Sequence, residues 1–380
     1  MQFNVDRDLF SDAVSFAVKL LPQRPTQPLL SGILIKTNGP EVEFATFDYE
    51  TSAKTSIAAE ITESGMALVS GRLLAEIASK LPPADVTVQL DEDRVIVLCG
   101  SANFSLPSMP VEEYPEVPEI LSFSGSVKAS SFTDAISQVA MAASKDDVTP
   151  VITGVEIEVV ENNLALTATD RYRVSTRSVP WQPNSESEPL KALVPARIVT
   201  EVGKTFHDTD EIKISFIKED DREIIAFSDS QKTVTSLLIK GNYPPVQRLF
   251  PDTVPNYAVV NTQDIIEAVG RVGLVLEREA AIRFNFSEGQ VILEGAGPES
   301  ARASEVAEAH LVGNDMVVSL KPQFLLDGLR ATHSEYARIG FTNSENPSKP
   351  GPVLITGQRS RDDLHEEDFK YLLQPNLLLR

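Results

Sequence analysis

The chain has 380 residues, of which 42% are hydrophobic, the composition of a folded protein with about two to four domains. It contains no apolar run of about 18 residues, which excludes a membrane-spanning helix, and its single cysteine, Cys99, excludes an internal disulfide. The net charge of −21 argues at first sight against nucleic-acid binding, because duplex DNA is bound by cations that displace its counterions.

The predicted elements alternate between short strands and amphipathic helices. In the first third, strands are expected at 2–5, 32–37, 41–47, 86–90, 94–99 and 103–106. Apolar residues at helical spacing, such as Leu9 and Ala13, predict the first helix, and Pro82 ends the second. The six predicted helices lie at 7–21, 72–81, 131–145, 196–205, 263–278 and 321–331. Each third therefore combines two helices with several antiparallel strands, an α+β domain.

Three stretches of the chain resemble one another in the same order. They read VSGRLLAEI at 69–77, VPARIVTEV at 194–202 and, more weakly, SLKPQFLLD at 319–327. The step from Arg72 to Arg197 and the step from Arg197 to Pro322 are both 125 residues. This repetition predicts three copies of one domain, with joints after the Tyr-Pro pairs at 114–115 and 243–244. The predicted domains are residues 1–122, 126–250 and 256–380.

Basic residues are enriched on the predicted helices. These six helices carry eleven basic and nine acidic residues, a net charge of +2, so the rest of the chain carries −23. A basic residue recurs near the start of the second helix of each repeat, at Arg72, Arg197 and approximately Lys321. Exposed charges are screened beyond about 8 Å at physiological salt, so local charge matters more than the total. The helices are therefore predicted to face a polyanion, with ordinary solvated helix faces as the alternative.

Five groups of short motifs carry a family resemblance through their order and spacing. They are RPT at 24–26 with PLL at 28–30, FSLP at 104–107 before YP at 114–115, TDRYR at 169–173, YP at 243–244 before RL at 248–249, and YLLQP at 371–375. Together they resemble the bacterial DNA polymerase III beta subunit, the sliding clamp, over essentially the whole chain. The resemblance implies a clamp fold of three α+β domains and a head-to-tail homodimer that closes a ring.

The function that this resemblance implies is non-catalytic. A sliding clamp encircles duplex DNA without reading its sequence and tethers DNA polymerase III for processive synthesis. Six basic residues are expected to contact the DNA: Arg24, Arg72, Lys80, Lys145, Arg197 and Lys204. Four apolar residues are expected at the dimer interface: Phe104, Leu106, Leu274 and Val275. The sequence leaves open that these four belong to the internal core.

The resemblance also implies an apolar pocket between the second and third domains. Such a pocket captures short peptide motifs of the DNA polymerase III alpha subunit, the clamp loader and repair proteins. Its expected residues are Ile152, Thr169, Arg171, Tyr172, Arg173, Val174, Pro244, Arg248, Leu249, Phe324, Leu373, Gln374, Pro375 and Asn376.

This pocket departs from the family pattern in two places. Arg171 stands where the family usually has a small residue. Gln374 stands where the family has methionine, which replaces a flexible apolar side chain with a polar amide, and Asn376 and Leu377 replace an apolar residue and an arginine. These differences suggest, as an alternative, a divergent clamp copy that gives self-resistance to clamp-directed peptide antibiotics.

Two further classes of function were weighed against a clamp. Asp48 and Asp170 follow threonines at strand ends and could hold a metal or move a proton. The third repeat has Gly295-Ala296-Gly297 at that place, however, so both aspartates are predicted to be turn residues. With four scattered histidines and no secretion signal at the N-terminus, we expect no metal, no cofactor and a cytoplasmic location. The last alternative is an acidic scaffold that binds only proteins and does not encircle DNA.

Overall fold

The computed structural model describes residues 1–184, 190–219, 222–342, 351–363 and 368–377. These residues form six α-helices: α1 (Arg7–Val18), α2 (Gly71–Ala78), α3 (Ala129–Val139), α4 (Ala196–Thr205), α5 (Thr262–Gly273) and α6 (Pro322–Ala331). All six predicted helices are therefore found, each beginning within two residues of its expected start. No helix among the described residues is long and apolar enough to cross a membrane.

The described strands number 27 and are short. In chain order they are β1 (Gln2–Val5), β2 (Gly32–Asn38), β3 (Glu41–Phe47), β4 (Thr51–Ala58), β5 (Glu60–Glu63), β6 (Met66–Ser70), β7 (Val86–Asp91), β8 (Arg94–Cys99), β9 (Ala102–Pro107), β10 (Gly125–Lys128), β11 (Gly154–Val160), β12 (Asn163–Thr169), β13 (Arg173–Pro180), β14 (Gln182–Pro183), β15 (Lys191–Pro195), β16 (Glu211–Glu219), β17 (Arg222–Ser228), β18 (Lys232–Leu237), β19 (Asn256–Asn261), β20 (Ile282–Ser287), β21 (Gln290–Ala296), β22 (Arg302–Glu308), β23 (His310–Val312), β24 (Met316–Leu320), β25 (Tyr336–Phe341), β26 (Val353–Gln358) and β27 (Phe369–Leu373). The predicted α+β class with antiparallel sheets is confirmed.

The start of α1 is fixed by a side-chain cap, whereas several helix ends fall earlier than predicted. Asp6 caps α1 by accepting from the backbone amides of Asp8 and Leu9, at 2.9 and 3.1 Å. The helix ends at Val18 rather than residue 21, yet Leu20 and Leu21 remain buried. The apolar pattern therefore continues past the end of the helix, and this is why the prediction overran.

The chain divides into two compact units, the first made of Met1–Thr133 and Trp181–Leu238. It contains a five-stranded sheet in the order β5-β1-β7-β8-β9 and a nine-stranded sheet in the order β14-β10-β16-β17-β18-β4-β3-β2-β6. Strands β4 and β18 pair directly, and the Ser52 and Thr235 hydroxyls meet at 2.6 Å across this seam. The seam joins strands that are more than 170 residues apart in sequence, so the sheet is continuous across distant parts of the chain.

The second unit consists of Asp134–Pro180 and Ile239–Arg380. Its described strands follow the order β11-β12-β13-β27-β26-β25-β19-β23, beside a four-stranded sheet in the order β22-β21-β20-β24. As β4 and β18 do in the first unit, two strands distant in sequence, β13 and β27, pair side by side here. Helices α5 and α6 cover a core that includes Phe284, Phe286, Phe369 and Tyr371. The boundaries predicted for three domains stay predictions.

The repeat-equivalent turns explain both the aspartates and the glycines that replace them. The Asp48 carboxylate accepts hydrogen bonds from the backbone amides of Glu50 and Thr51. In the same way, Asp170 accepts from the backbone amides of Tyr172 and Arg173. In the third repeat, a Cβ on Gly297 would lie 1.7 Å from the Val275 carbonyl oxygen. The chain after α5 therefore passes too close for a side chain at this turn.

Gly328 is a second position where packing forbids a side chain. A Cβ built there would lie 2.5 Å from the Tyr371 ring. We expect Gly328→Ala to lower the free energy of unfolding by about 1–3 kcal/mol, because the ring or the helix must shift. Gly270→Ala in α5 is the control, since its Cβ would meet nothing within 4 Å and should stabilise the helix by about 0.5–1 kcal/mol. Urea unfolding of both variants measures the difference; equal effects would contradict the packing argument.

Candidate functional site

A cleft of about 570 Å³ lies within the second unit. Its walls are the segment after α3, the turn between β12 and β13, and the first turns of α6. Of the predicted pocket residues it brings together Ile152, Arg171, Tyr172, Arg173 and Phe324. Sequence positions from 143 to 327 thus meet at one place, as expected for a binding site built by several elements.

Arg173 anchors the floor of this cleft. The side chain is 7% exposed; its Nε donates to Asp170 at 2.9 Å and its Nη1 to Asp327 at 2.6 Å. Nη2 donates to the Met141 carbonyl oxygen at 2.8 Å, and Nη1 lies 3.3 Å from the Tyr371 hydroxyl. Burial opposes the charged form, but these partners outweigh it, so the pKa of Arg173 is raised. The guanidinium thus stays charged and holds the turn, α6 and β27 together.

An aromatic pair forms the open side of the cleft. The rings of Tyr172 and Phe324 stack with centroids 6.0 Å apart and planes at 25°. The Arg173 guanidinium lies 4.6 Å from the Phe324 centroid, and the Lys321 ammonium lies 5.3 Å from the same centroid. Tyr172 is 60% exposed although its ring is large. The cleft therefore offers a flat aromatic surface flanked by cations.

Arg171 occupies a backbone conformation that favours small residues. Its φ is 79°, in the left-handed region, and the corresponding turn of the first unit has Tyr49 at φ 75°. The turn itself therefore demands this conformation, whichever side chain stands there. The Arg171 guanidinium donates to the Thr149 hydroxyl at the cleft rim. The departure from the family pattern thus adds a positive charge beside the cleft.

A smaller apolar cluster lies on the outer face of the same sheet. Val174, Val246, Leu354 and Leu372 form it, with Tyr243, Phe250 and Val254 packed against them. The prediction of Leu373 as a pocket residue is not supported by this placement: Leu373 is fully buried in the main core. Side chains alternate along β27, so the neighbouring Leu372, which pairs with Val174, takes the outer position instead.

The remaining predicted pocket residues lie close to these two features. Thr169 is buried at the end of β12, Pro244 is half-buried, and Arg248 and Leu249 are exposed. The backbone N–H of Gln374 donates to the Tyr172 carbonyl oxygen at 2.9 Å, and the backbone N–H of Asn376 donates to the Ser319 carbonyl oxygen at 2.8 Å. Pro375 is buried between them. The sequence analysis did not assign Met141, Lys321, Asp327, Tyr371 or Leu372 to the pocket, although all but Met141 lie in the repeat stretch at 319–327 or in the motif at 371–375.

The predicted DNA contacts differ in how free their charges are. In the first unit, Arg24, Arg72, Lys80 and Arg197 are exposed, and Lys145 is exposed in the second. Within the part of the chain that the structure describes, none of these five forms an ion pair. Arg72 donates to the Pro22 carbonyl oxygen at 2.8 Å, next to the segment that carries Arg24. Lys204, in contrast, pairs with Glu201 at 2.8 Å, which leaves it less available to a phosphate.

The net charge of +2 predicted for the helices is not found within the helix bounds of the structure. Within the observed helix bounds there are six basic and eight acidic residues. Lys80 lies two residues beyond the end of α2, and Lys145 six residues beyond the end of α3. Because the predicted helices overran, cations of the following segments were counted as helical. Lys80 lies close to the C-terminal end of its helix, where the helix dipole favours a cation, whereas Arg72 and Arg197 lie in the first turns of theirs.

The four predicted interface residues fall into two groups. Phe104 is 36% exposed on β9, the last strand of its sheet, and Leu274 is 84% exposed just after α5, with Val275 half-buried beside it. Leu106 is 1% exposed and packs in the core of the first unit. For Leu106 the alternative of a core residue is therefore correct.

Among the described residues, no group of three or more His, Cys, Asp or Glu side chains could hold a metal ion.

Comparison with known proteins agrees with this arrangement. Residues 1–118, 126–245 and 247–357 match, in order, the N-terminal, central and C-terminal domains of the DNA polymerase III beta subunit. The beta sliding clamp of Streptomyces coelicolor is 39% identical over 376 residues, 99% of each chain. The beta sliding clamp homolog GriR of Streptomyces muensis is 33% identical over 375 residues, also 99% of each. The fold also matches a Pseudomonas aeruginosa sliding clamp bound to griselimycin, with a TM-score of 0.89 at 23% identity over all of both chains.

Proposed function

Because the chain belongs to the DNA polymerase III beta subunit family, the beta sliding clamps, we propose that it encircles duplex DNA and tethers DNA polymerase III for processive synthesis. The match of all three family domains, in order along one chain, carries this proposal. The protein acts without catalysis in the cytoplasm, and its contribution is to keep its partner on the template.

Sliding requires that DNA is held by topology rather than by tight contacts. Phosphate contacts carry no sequence information and weaken as salt rises, which suits a tether that must move. Arg24, Arg72 and Arg197, which form no ion pair among the described residues, are the best candidates for such contacts in the first unit. Lys80 and Lys145 add to them, and Lys204 contributes less because Glu201 already engages it.

A ring requires that two copies join head to tail. Strands β9 and β22 are the last strands of their sheets among those described, and the last strand of a sheet offers free backbone donors and acceptors to another chain. Phe104 lies on β9, while Leu274 and Val275 lie beside the turn that precedes β22. We therefore place the homodimer interface at these two edges, which differ from each other and close by two-fold symmetry.

Partner proteins are proposed to bind through short extended peptides. The cleft around Arg173 and the outer cluster around Val174 together offer an apolar surface with a few fixed polar groups. The DNA polymerase III alpha subunit, the clamp loader and repair proteins would share this site. Competition among them follows, because one peptide fills the cleft at a time.

The proposed function is tested by retention on circular DNA. After loading, the protein should stay on nicked circular DNA and leave linear DNA by its ends. Arg24→Glu combined with Arg197→Glu should shorten the half-life on circular DNA on the order of tenfold, because two phosphate contacts become repulsive. The salt concentration at which the protein is released from the circle should also be lower than for the unchanged chain. Lys36→Glu, an exposed strand lysine, is the control and should change little. Equal retention on linear and circular DNA would instead favour the acidic scaffold.

The similarity to GriR keeps one alternative open, a copy that gives self-resistance. Arg171, which lines the cleft, and Gln374, whose backbone N–H bonds to the cleft residue Tyr172, are the observations that favour it. If they exclude a peptide antibiotic, then Arg171→Gly with Gln374→Met should raise the affinity for griselimycin at least tenfold over the unchanged chain. An unchanged affinity, measured by calorimetry, would remove this alternative and leave the replicative clamp.

A further inference from the structure

Residues 244–254, here called the connector, lie along the outer face of the large sheet in the second unit. Val246 is buried in the outer apolar cluster, and Phe250 and Val254 pack against that cluster. A groove of about 870 Å³ nevertheless remains between the connector and the sheet. Residue 247 and residues 250–254 line one side of it, and threonines of the sheet line the other. Apolar packing therefore does not fill the space beneath the connector.

One side chain of the connector hydrogen-bonds to the sheet. The Gln247 Nε2 lies 2.7 Å from the Thr167 hydroxyl oxygen and 3.4 Å from that of Thr176. These two threonines face each other on β12 and β13, with their hydroxyl oxygens 3.2 Å apart. They are only 2% and 9% exposed. Within residues 244–254, all of which the structure describes, no other side chain bonds to the sheet.

The last member of this chain of hydrogen bonds fixes its direction. The Leu166 carbonyl oxygen can only accept, so the Thr176 hydroxyl donates to it at 3.1 Å. A hydroxyl has one proton, and Thr176 therefore accepts from Thr167. The Thr167 hydroxyl has then also used its proton and must accept from Gln247, whose amide N–H donates. A donor at position 247 is thus required to complete the chain of hydrogen bonds.

Gln247 helps to orient the turn that carries two predicted pocket residues. Val246–Leu249 form one turn of 3-10 helix, in which side chains three residues apart lie on the same side. Leu249 therefore lies on the side of Val246, and it is 54% exposed. The Arg248 Nε donates at 3.1 Å to the Pro245 carbonyl oxygen, within the connector itself. The placement of both pocket residues thus depends on the two side chains that engage the sheet, Val246 and Gln247.

Resting on the proposed function, we propose that Gln247 is a positioning residue of the peptide site. Through Thr167 it holds the turn in the orientation in which Arg248 and Leu249 meet a partner peptide. A turn without this hydrogen bond spends part of its time in other orientations. The apparent affinity for a peptide that needs the bonded orientation then falls in proportion to the fraction of molecules that have it.

The rates of peptide binding to the full chain test this proposal. The probe is a fluorescent peptide that contains the clamp-binding segment of the DNA polymerase III alpha subunit. Gln247→Met keeps the length of the side chain but removes its donor. The association rate constant should fall about threefold to tenfold, the effect of one lost neutral hydrogen bond, because fewer molecules are ready to bind. The dissociation rate constant should change little, because the bound peptide itself holds the turn.

Matched variants separate positioning from direct contact. Thr167→Val removes the hydroxyl that Gln247 engages and should reproduce the slower association. The double variant should associate no more slowly than either single variant, since both changes break the same chain of hydrogen bonds. Leu249→Ala removes a proposed direct contact and should instead raise the dissociation rate constant. Gln231→Met, in the exposed turn between β17 and β18 of the first unit, should change neither rate constant.

The outcomes separate this inference from the proposed function. If Gln247→Met binds the peptide with the rate constants of the unchanged chain, the inference is overturned while the peptide site stands. A change confined to the dissociation rate constant overturns it too, because Gln247 would then contact the peptide directly. Additive losses in the double variant would show that Gln247 does not act through Thr167.

Failure of the peptide site itself has a different signature. If the peptide does not bind the unchanged chain, the proposed site fails and the inference fails with it. Thr167→Val alters a buried residue, so its folding is checked by urea unfolding. If that variant does not fold, Gln247→Met decides alone, because Gln247 lies at the exposed surface.

Discussion

Replacing Arg173 with methionine is expected to lower the free energy of unfolding by about 3 kcal/mol, because two carboxylates would lose their cation in a largely buried site. Asp170 and Asp327 are only 14% and 21% exposed, so water screens them poorly once the guanidinium is gone. The Met141 carbonyl oxygen would also lose its donor. The cleft should then lose its shape, and peptide binding should be abolished even where the protein remains folded.

Urea unfolding followed by circular dichroism measures this loss, in the transition that belongs to the second unit. Arg271→Met is the matched control, since Arg271 binds Glu267 and Glu305 at the exposed surface and its loss should change stability far less. Adding Asp327→Asn to Arg173→Met should restore part of the stability by removing one unpaired charge. A variant as stable as the unchanged chain would show that Arg173 does not anchor the cleft.

Leu274→Asp is expected to convert the proposed homodimer into monomers. Leu274 is 84% exposed, so the substitution should leave the fold intact. In the proposed interface, however, the new carboxylate would be buried without a partner, a cost of several kcal/mol. Because the ring would not close, retention on circular DNA should be lost together with the dimer.

Light scattering after size-exclusion chromatography checks this prediction. The mass should fall from twice 41.5 kDa to 41.5 kDa. Leu121→Asp is the control, because Leu121 is 90% exposed and lies outside the proposed interface. If Leu274→Asp remains a dimer at micromolar concentration, the interface lies elsewhere on the surface.

Local signals in the sequence predicted the elements well, but not where every element ends. Apolar spacing placed every helix start within two residues of the observed one, and Asp6 and Asn261 cap two of these starts in the structure. Helix ends were placed too late because buried residues such as Leu20 and Leu21 continue the apolar pattern beyond the last helical turn. Three to six residues of error at α1, α2, α3 and α5 were enough to change the sign of the net helix charge.

The cleft could be predicted only in part, because its key contacts connect distant residues. The resemblance supplied Arg173 and Phe324, but nothing near Asp327 in the sequence indicates that it binds a guanidinium 154 residues away. Leu373 lies in the main core and Leu372 in the outer cluster, because one step along a strand exchanges its two faces. Lys321 fitted the repeat as a surface cation, yet Glu279, Tyr172 and Phe324 surround it.

The seam between β13 and β27 has a consequence for biosynthesis. Strand β27 lies between β13 and β26 but is made some 190 residues after β13. The second unit therefore cannot complete its sheet until residues 369–373 have left the ribosome, and contacts at such long sequence separation form slowly. The contact of Tyr371 with Arg173 and the backbone hydrogen bonds of Gln374 and Asn376 also form only after these last residues have been made. A chain cut short by premature termination would thus lack the cleft and would not withdraw partners from intact copies.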